Sequence, residues 1–342
     1  MARRRTILIM TEEHPFAPYI RIIAKGPNLS RPLTESEMTE AARMVLAGQV
    51  EPMQLGALLC IMRIRTEVPA EGAGFVRAVR ETYNRPADAP TVDLDWPSYA
   101  GKKRQLPWYL LAAMVLAQNG IKICMQGTEG HTPDRVYSRA ALAVLGISAA
   151  TSLDQAAAQI TASNFAFLPL KVLSPRLQEI IDLKSIIGVR SPVNTFARHI
   201  NPFAASHQLL TVVHPNYRVI HRDMARLLGQ PHMAVFKGEG GEAEVRPTKA
   251  LDVQMLHRDE AVDETWPALL PDDTAEKDAD MELARLLRVW RGDEEDTYGQ
   301  AAVIGTAAIA LRLLGRAAGP AEALAAAAAM WRQRNRDQLL AA

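Results

Sequence analysis

The sequence predicts an α/β protein in which a small N-terminal helical domain precedes a larger domain with a mainly parallel sheet. Three observations support this class: helical periodicity between residues 33 and 80, an alternation of short apolar runs with longer helical ones after residue 90, and a length of 342 residues. The small domain is predicted to span residues 1–90, joined by helices from about 172–200, and the α/β domain residues 91–342.

Three short helices are predicted in the small domain. Thr34 and Glu37 have the spacing of a capping box, apolar residues then recur along one helix face, and Gly48 follows the last of them. Pro52 and Pro69 stand where a proline opens a helix, each ahead of a further apolar stripe. Because short amphipathic helices do not bury their apolar faces alone, we expect the three to pack on one another and on later helices.

The rest of the chain alternates between strand and helix patterns. Buried strands are predicted at VDLDW, IKICM, FAFLPL, QLLTVV and HMAVF. Helices are predicted over about 107–119, 134–145 and 175–187, through 223–228, and from Ser152, which forms a second capping box with Gln155. Strands separated by helices of this length form parallel sheets covered on both faces, and the alanine-rich end of the chain is predicted to be close-packed helices.

The composition places the chain among folded proteins of the cytoplasm. Hydrophobic residues make up 48% and charged residues 23%, which excludes disordered and fibrous classes. No apolar run reaches the roughly 18 residues of a membrane span. The stretch MARRRTILIM lacks the length and the small-residue cleavage site of a secretory signal. We therefore expect a cytoplasmic protein without membrane contact, with Cys60 and Cys124 as buried thiols.

The net charge of +1 conceals a strong asymmetry along the chain. Residues 97–226 carry 14 Lys and Arg against 6 Asp and Glu, whereas residues 239–296 carry 7 against 18. This division indicates either an anion-binding surface or two faces that neutralise each other within the fold or across a dimer.

The loop SYAGKKRQLP is the first of three candidate sites, because ligands of open parallel sheets bind beyond the carboxyl ends of the strands. It begins at Ser98 after a predicted strand and enters a helix. A backbone cradle for phosphate would need several glycines, but the loop has only Gly101. Lys102, Lys103 and Arg104 instead place three cations near the helix N-terminus. The loop is therefore either a polyanion site or a solvated basic loop.

The loop MQGTEGHTPDR is the second candidate and follows a buried strand. Gly127 and Gly130 permit close backbone approach, and Thr128, Glu129 and His131 are candidate polar contacts. His131 is either a catalytic base or an ordinary loop residue.

The third candidate is the loop KGEGGEAE, which follows the predicted strand HMAVF. Glu239, Glu242 and Glu244 are possible carboxylate ligands in it. The loop is therefore either a Mg²⁺ site or an ordinary acidic turn.

The most distinctive stretch is GVRSPVNTFARHINPFAASHQLLTVVH, residues 188–214. It resembles the segment GxRTVFNLLGPLxNPxxxxHQLxGV of anthranilate phosphoribosyltransferases. Seven residues are in register with that segment, namely Gly188, Arg190, Asn194, Asn201, Pro202, His207 and Gln208. The opening LTESEMTEAARMVLAGQVEPMQLGALLCIMRIR and the C-terminal helices are also similar to that family. The resemblance implies a fold of the nucleoside phosphorylase/phosphoribosyltransferase type, with a helical domain hinged to an α/β domain, and a homodimer.

The chain departs from the family pattern at three places that would bind substrate. SYAGKKR replaces the family's GTGGDG, which cradles the diphosphate of phosphoribosyl diphosphate, and MQGTE replaces its KHGNR. The acidic pair that holds Mg²⁺ aligns with Glu242 and Ala243, so one carboxylate is missing. Arg190 remains at the position of an anthranilate-contacting arginine. Since phosphoribosyl transfer depends on amide donors and a metal around the leaving diphosphate, the departures predict a loss of this activity.

The segments WPSYAGKKRQLPW and GTEGHT are similar to the YbiB branch of the family, whose members keep the scaffold, lack the biosynthetic activity and bind nucleic acid. The resemblance implies largely sequence-independent binding of DNA or RNA through phosphate contacts, with no cofactor and no catalytic residue. Eight cations are expected to line the basic cleft, namely Lys102, Lys103, Arg104, Lys171, Arg176, Lys184, Arg190 and Arg198. Seven residues are expected as polar contacts, namely Ser98, Tyr99, Gly101, Gly127, Thr128, Glu129 and His131. Each of Arg176, Lys184 and Arg198 is equally compatible with a solvated helix face.

Four aromatic residues flank the basic loop and are possible stacking platforms for single-stranded bases, namely Trp96, Tyr99, Trp108 and Tyr109. Trp108 and Tyr109 open an apolar helix, so a place in the core is the competing interpretation.

An enzyme is the alternative to a binding protein. It would be a phosphoribosyltransferase acting on a different acceptor, with Glu129, His131 or Glu242 in acid, base or metal roles and with Mg²⁺ and phosphoribosyl diphosphate as cofactor and donor; Glu239 and Glu242 are its weak candidate metal ligands. A further alternative is a catalytically silent partner whose acidic segment binds another protein.

Overall fold

The structure is a computed structural model that describes residues 12–274, 278 and 280–340. The stretch MARRRTILIM lies outside the described residues. The architecture is the predicted one, with a small helical N-terminal domain and a larger α/β domain built on a seven-stranded, mostly parallel sheet. Within the described ranges, no helix is long and apolar enough to cross a membrane.

Four helices form the N-terminal part from residue 12 onward. They are α1 (Ala17–Ala24), α2 (Glu35–Leu46), α3 (Pro52–Arg65) and α4 (Pro69–Arg80). The predicted capping box opens α2, because the Thr34 hydroxyl accepts from the Glu37 amide and the Glu37 carboxylate accepts from the Thr34 amide. Helix α1 was not predicted; among its residues only Ile23 is buried, so it leaves little apolar periodicity.

The sheet has the strand order β3-β2-β1-β4-β5-β6-β7. The strands are β1 (Leu94–Ser98), β2 (Ile123–Gly127), β3 (Phe165–Pro169), β4 (His207–Val212), β5 (His232–Lys237), β6 (Leu251–His257) and β7 (Glu260–Trp266). β1 to β5 pair in parallel and match the five predicted strands, whereas β6 and β7 add an antiparallel hairpin. The hairpin was not predicted; its strands LDVQMLH and EAVDETW carry charged and polar residues among the apolar ones, so no apolar run marks them.

Eleven further α-helices connect and cover these strands within the described residues. They are α5 (Tyr109–Gln118), α6 (Ser138–Val144), α7 (Leu153–Ser163), α8 (Leu170–Leu173), α9 (Pro175–Asp182), α10 (Lys184–Ile187), α11 (Val193–Phe196), α12 (Tyr217–Leu227), α13 (Ala284–Arg291), α14 (Thr297–Leu313) and α15 (Pro320–Gln333). The helix predicted over 175–187 is therefore divided into α9 and α10, and the helix predicted from 134 begins at Ser138.

Two large apolar clusters sandwich the sheet. One packs α5, α14 and α15 against one sheet face, and the other joins the opposite face to α1–α4 and to residues of α8, α9 and α11. The aromatic side chains that flank the basic loop belong to these clusters, and each is at most 1% exposed: Trp96, Tyr99, Trp108 and Tyr109. Their interpretation as stacking platforms for bases is therefore wrong. Cys124 is buried as predicted, but Cys60 is only partly buried.

Candidate anion-binding cleft

The loops after β1, β2, β4 and β5 meet at the carboxyl edge of the sheet, where open α/β folds bind ligands. Residues 184–198 of α10, α11 and the following 3₁₀ turn border this edge, and Arg63 of α3 reaches it from the N-terminal domain. All three loops singled out from the sequence therefore lie in the cleft region. Their side chains, however, differ in what they contact.

The backbone amides of the first loop already hold an anion from the protein itself. The Ala100 and Gly101 amides both donate to Glu242 Oε1, at 2.7 and 2.5 Å. Gly101 has φ of +68°, a conformation that turns the two amides toward one acceptor and disfavours a Cβ. The Glu242 carboxylate thus occupies the donors that a phosphate oxygen would use.

Lys102 is not a surface cation. It is 1% exposed, and its Nζ lies 2.5 Å from Glu244 Oε1. Glu244 Oε2 accepts from the Tyr109 amide at the start of α5, at 2.9 Å. Burial raises the pKa of Glu244 to about 7, and the Lys102 charge opposes this rise. The predicted contact of Lys102 with a phosphate backbone is therefore contradicted, because its charge is buried against a carboxylate.

The acidic loop after β5 does not fit a magnesium ion. One oxygen of Glu242 accepts the two loop amides, and Glu244 pairs with Lys102. Ala243 stands where a second carboxylate would be needed, and no group of three ligating side chains converges anywhere in the described part of the chain. Glu239 is only partly buried and does not complete a site.

The second loop is packed into the fold. Gly127 lies so close to β1 that a Cβ would meet the Ser98 carbonyl oxygen at 1.8 Å. The Ser98 hydroxyl is 2.7 Å from the Ser138 hydroxyl, and Thr128, 1% exposed, donates to Gln178 at 3.0 Å. Ser98, Gly127 and Thr128 therefore hold the second loop in place and do not face a ligand.

His131 is held neutral by its surroundings. Its Nε2 donates to the Tyr99 carbonyl at 2.8 Å, which leaves Nδ1 to accept from the Thr132 hydroxyl, also at 2.8 Å. Burial, followed by the charges of Arg190 and Lys184, lowers the pKa of His131 to about 4. Since both ring nitrogens are engaged, the arrangement favours the ordinary loop residue over the catalytic base. The Tyr99 hydroxyl donates to Gln126 and does not enter the cleft.

Positive side chains converge at the mouth of the cleft; we call Arg63, Arg135, Lys184, Arg190 and Arg198 the cation cluster. Lys184 Nζ and Arg190 Nη2 both donate to the Thr132 hydroxyl, at 2.9 and 3.3 Å. Arg135 donates to the carbonyls of residues 100, 101 and 240, and Arg198 to that of residue 241.

The cation cluster has few ion-pair partners among the described residues, although the charge of Glu242 partly opposes the lowering of the pKa of Arg198 and of Arg190 by burial. In the described ranges, Arg135, Lys184, Arg190 and Arg198 form no ion pair within 4.0 Å, and Arg63 pairs only with Glu67 at 3.5 Å. Burial, and then the neighbouring positive charges, lowers the pKa of both Lys184 and Arg190. Mutual repulsion therefore makes this region a place where an incoming anion is attracted.

A cavity of about 170 Å³ opens beside the cluster. Arg63, Arg190 and Arg198 line it together with Asn194 and Tyr217. Arg198 is 8% exposed, and its Nη1 has no partner among the described residues. The cavity thus presents guanidinium donors to a small anionic group.

The remaining predicted cations lie apart from this cluster. Lys171 pairs with Glu129 at 2.6 Å, and Glu129 also contacts Arg139. Arg176 pairs with Glu179 of its own helix at 2.8 Å. Lys103 and Arg104 are exposed on the first loop.

Sequence reasoning missed Arg63 and Arg135. Arg135 is the last residue of the predicted second loop, but it was not among the cations expected to line the cleft. Arg63 comes from a helix of the other domain, and no local signal marks it.

The fold and this cleft define a two-domain transferase scaffold with a helical bundle and an α/β domain. Two family models match the chain: the helical bundle domain of the glycosyl transferase family over residues 17–83, and its a/b domain over residues 109–333. The chain belongs to this family. Within this family, the similarity to the curated proteins and solved structures described next shows that the chain is an anthranilate phosphoribosyltransferase-like member of glycosyl transferase family 3.

Two curated relatives illustrate the relationship. The uncharacterized protein YbiB of Escherichia coli is 26% identical over 246 residues, covering 70% of this chain and 76% of YbiB. Anthranilate phosphoribosyltransferase of Thermus thermophilus is 28% identical over 216 residues, covering 63% of this chain. The match spans 65% of the Thermus enzyme, just under two thirds of its length.

Solved structures of this family share the fold. The anthranilate phosphoribosyltransferase of Thermus thermophilus superimposes with a TM-score of 0.75 at 24% identity, covering 88% of this chain and 92% of that one. The Saccharomyces cerevisiae enzyme in complex with PRPP and Mg gives a TM-score of 0.74 at 14% identity, covering 94% of both chains.

Proposed function

We propose that this protein binds nucleic acid, DNA or RNA, largely independently of sequence through phosphate contacts at the cation cluster, and has no anthranilate phosphoribosyltransferase activity. The observation that carries the proposal is the convergence of Arg135, Lys184, Arg190 and Arg198 without a carboxylate partner in the described part of the chain. The resemblance to the YbiB branch supports it, and a cytoplasmic homodimer remains part of the proposal.

The electrostatics of the cluster favour a polyanion over a small metal-bound diphosphate. Each unpaired cation contributes to releasing counterions from a phosphate chain, so several together give appreciable binding without reading a base. Lys103 and Arg104 on the first loop extend the positive surface. The four aromatic side chains near the first loop are buried in the core and cannot stack on bases. On this proposal, electrostatic contacts therefore provide the affinity.

The occupied amides weigh against phosphoribosyl transfer. A transferase needs donors that are free for the leaving diphosphate, whereas the Ala100 and Gly101 amides are bonded to Glu242. Among the described residues no set of three metal-ligating side chains converges, so the metal contribution to the transition state has no ligand set there.

The experiment is a salt titration of binding to a fluorescent single-stranded oligonucleotide, followed by anisotropy with DNA and with RNA. We expect the logarithm of affinity to fall linearly with the logarithm of salt concentration. The double variant Lys184→Ala/Arg190→Ala is expected to reduce the slope by about 1 to 2. A flat salt dependence, or a slope unchanged in the variant, contradicts the proposal.

The matched control is Lys171→Ala/Arg176→Ala. It also removes two positive charges, but each of these side chains is paired with a carboxylate outside the cluster. We expect its slope to stay close to that of the unmodified protein. An equal effect in the two double variants would indicate that net charge, and not the cluster, determines binding.

A phosphoribosyltransferase with a different acceptor is the second candidate. The cavity of about 170 Å³, lined by Arg190 and Asn194 of the family motif, favours it because guanidinium donors suit a small acidic acceptor. Calorimetry with phosphoribosyl diphosphate and Mg²⁺ distinguishes the two. Saturable heat at millimolar ligand would support the transferase, and its absence would support the binding protein.

A further inference from the structure

Three histidines and one glutamate form a row across four neighbouring strands. His207 of β4 pairs with His232 of β5, His232 pairs with His257 of β6, and His257 pairs with Glu260 of β7. Directly paired residues share a sheet face. The row lies at the first residues of β4 and β5, at the opposite edge of the sheet from the cation cluster. His232 and His257 belong neither to the family motif nor to the proposed nucleic-acid site, so their close contact has no role in either.

We propose that His232 and His257 form the core of a binding site for a divalent transition-metal ion such as Zn²⁺, with Glu260 as its third protein ligand. The site is independent of the proposed nucleic-acid function.

The spacing of the two rings suits a shared ion. Their Nδ1 atoms are 3.3 Å apart. Two nitrogens bound to one tetrahedral Zn²⁺ at about 2.0–2.1 Å are separated by roughly 3.3–3.4 Å. The same distance lies beyond the usual range of an N–H donor bond. An ion between the rings therefore requires little movement of either side chain.

The rings are held in position. The His207 ring stacks on His232 with centroids 4.7 Å apart and planes at 16°, which fixes the orientation of His232. The buried Nε2 of His257 has no partner in the described ranges, so Nδ1 is the ring atom that meets a neighbour.

The third ligand comes from the hairpin strand. Glu260 is exposed and stands opposite His257 in the β6–β7 register. Three ligating side chains do not already converge among the described residues, so binding requires a rotation of the Glu260 side chain. Both imidazoles are partly exposed, and an ion reaches them directly from solvent.

The test is calorimetric titration of the untagged full chain with ZnCl₂. We expect one equivalent to bind with a Kd on the order of 1–10 µM, weaker than a four-ligand structural site. His232→Gln and His257→Gln are each expected to weaken binding at least about tenfold, and Glu260→Gln to weaken it less. Absence of one-equivalent binding at 100-fold excess over this Kd, or retained affinity in either histidine variant, overturns the proposal.

Two controls separate the site from other causes. Cys60→Ser removes a partly exposed thiol elsewhere in the chain and is expected to keep the wild-type affinity; a loss of zinc binding in this variant would assign the ion to Cys60 and overturn the proposal. Circular dichroism melting without metal establishes that both glutamine variants are folded. A Co²⁺ absorption spectrum typical of tetrahedral coordination in the wild type, absent in His257→Gln, gives a readout that a stability change does not mimic.

Discussion

Replacing Glu242 by alanine tests whether an internal carboxylate occupies the anion site of the first loop. The substitution removes the acceptor of two buried amides, those of Ala100 and Gly101. A hydrogen bond to a charged group contributes about 1.5–3 kcal/mol, and part of this is offset because the carboxylate no longer has to be desolvated. We expect the free energy of unfolding to fall by about 2–4 kcal/mol.

Inorganic phosphate should then recover part of this loss. If the freed amides bind phosphate with a Kd of about 1 mM, 10 mM phosphate stabilises the variant by about 1.4 kcal/mol. The unmodified protein, whose amides are occupied, should gain much less. Glu242→Gln keeps an acceptor without the charge and should lie between the two.

The assay is urea denaturation with and without phosphate, at ionic strength matched by NaCl. Glu239→Ala is the control, because Glu239 lies on the same loop and is only partly buried; its stability and its response to phosphate should match the wild type. Equal stabilisation by phosphate in the wild type and in Glu242→Ala would refute the argument, as would a loss of less than about 0.5 kcal/mol in the variant.

Three further predictions concern the residues around the cleft and the core beneath it. Lys102→Met leaves Glu244 buried without its cation and should lower the free energy of unfolding by about 3–5 kcal/mol in urea denaturation. The double variant Lys102→Met/Glu244→Gln should recover most of this loss. Additive losses in the double variant would contradict the pairing. Burial raises the pKa of Asp95 from 3.8 to about 7, so its contribution to stability is complete below about pH 4 and is lost as pH rises through 7. The stability of the wild type relative to Asp95→Asn should therefore fall by roughly 4 kcal/mol between pH 4 and 7. If stability changed with pH in the same way in both proteins, the raised pKa of Asp95 would be contradicted. Gly127→Ala places a Cβ against a backbone oxygen and should lower the stability measured by thermal melting by at least about 2 kcal/mol. Gly130 has open space around it, so Gly130→Ala should lower the stability by less than about 1 kcal/mol. Equal losses in the two variants would show that the close approach of Gly127 to β1 does not determine the stability.

Local sequence signals predicted the elements of the fold well. The capping box at Thr34 and the proline-led helices at Pro52 and Pro69 are set by short-range hydrogen bonds and backbone preferences, so they are visible within a few residues. The five parallel strands are short, largely apolar segments that are buried because both faces of the sheet are covered, and this composition marks them in the sequence. The hairpin of β6 and β7 lies at the sheet edge and lacks this signal.

The candidate site was less predictable, because its chemistry depends on residues distant in sequence. Lys102 and Glu244 are 142 positions apart, and nothing near either residue indicates that they pair. A separation of 141 positions likewise conceals the contact of Glu242 with Gly101 of the first loop. Charge counts identified the basic and acidic segments, but only the fold shows which members neutralise each other and which remain unpaired.

The two buried carboxylates explain how a loop with a single glycine keeps a compact turn at the mouth of a sheet. In a phosphate-binding loop, the amide donors are left for the ligand, and the ligand completes their hydrogen bonding. Here Glu242 satisfies the amides of Ala100 and Gly101, and Glu244 satisfies both Lys102 and the start of α5. The loop is therefore ordered without a ligand, and attraction for anions shifts from backbone donors to the side chains of the cation cluster. On the proposed function, the side chains of the cation cluster, and not the backbone amides of the first loop, would supply the phosphate contacts.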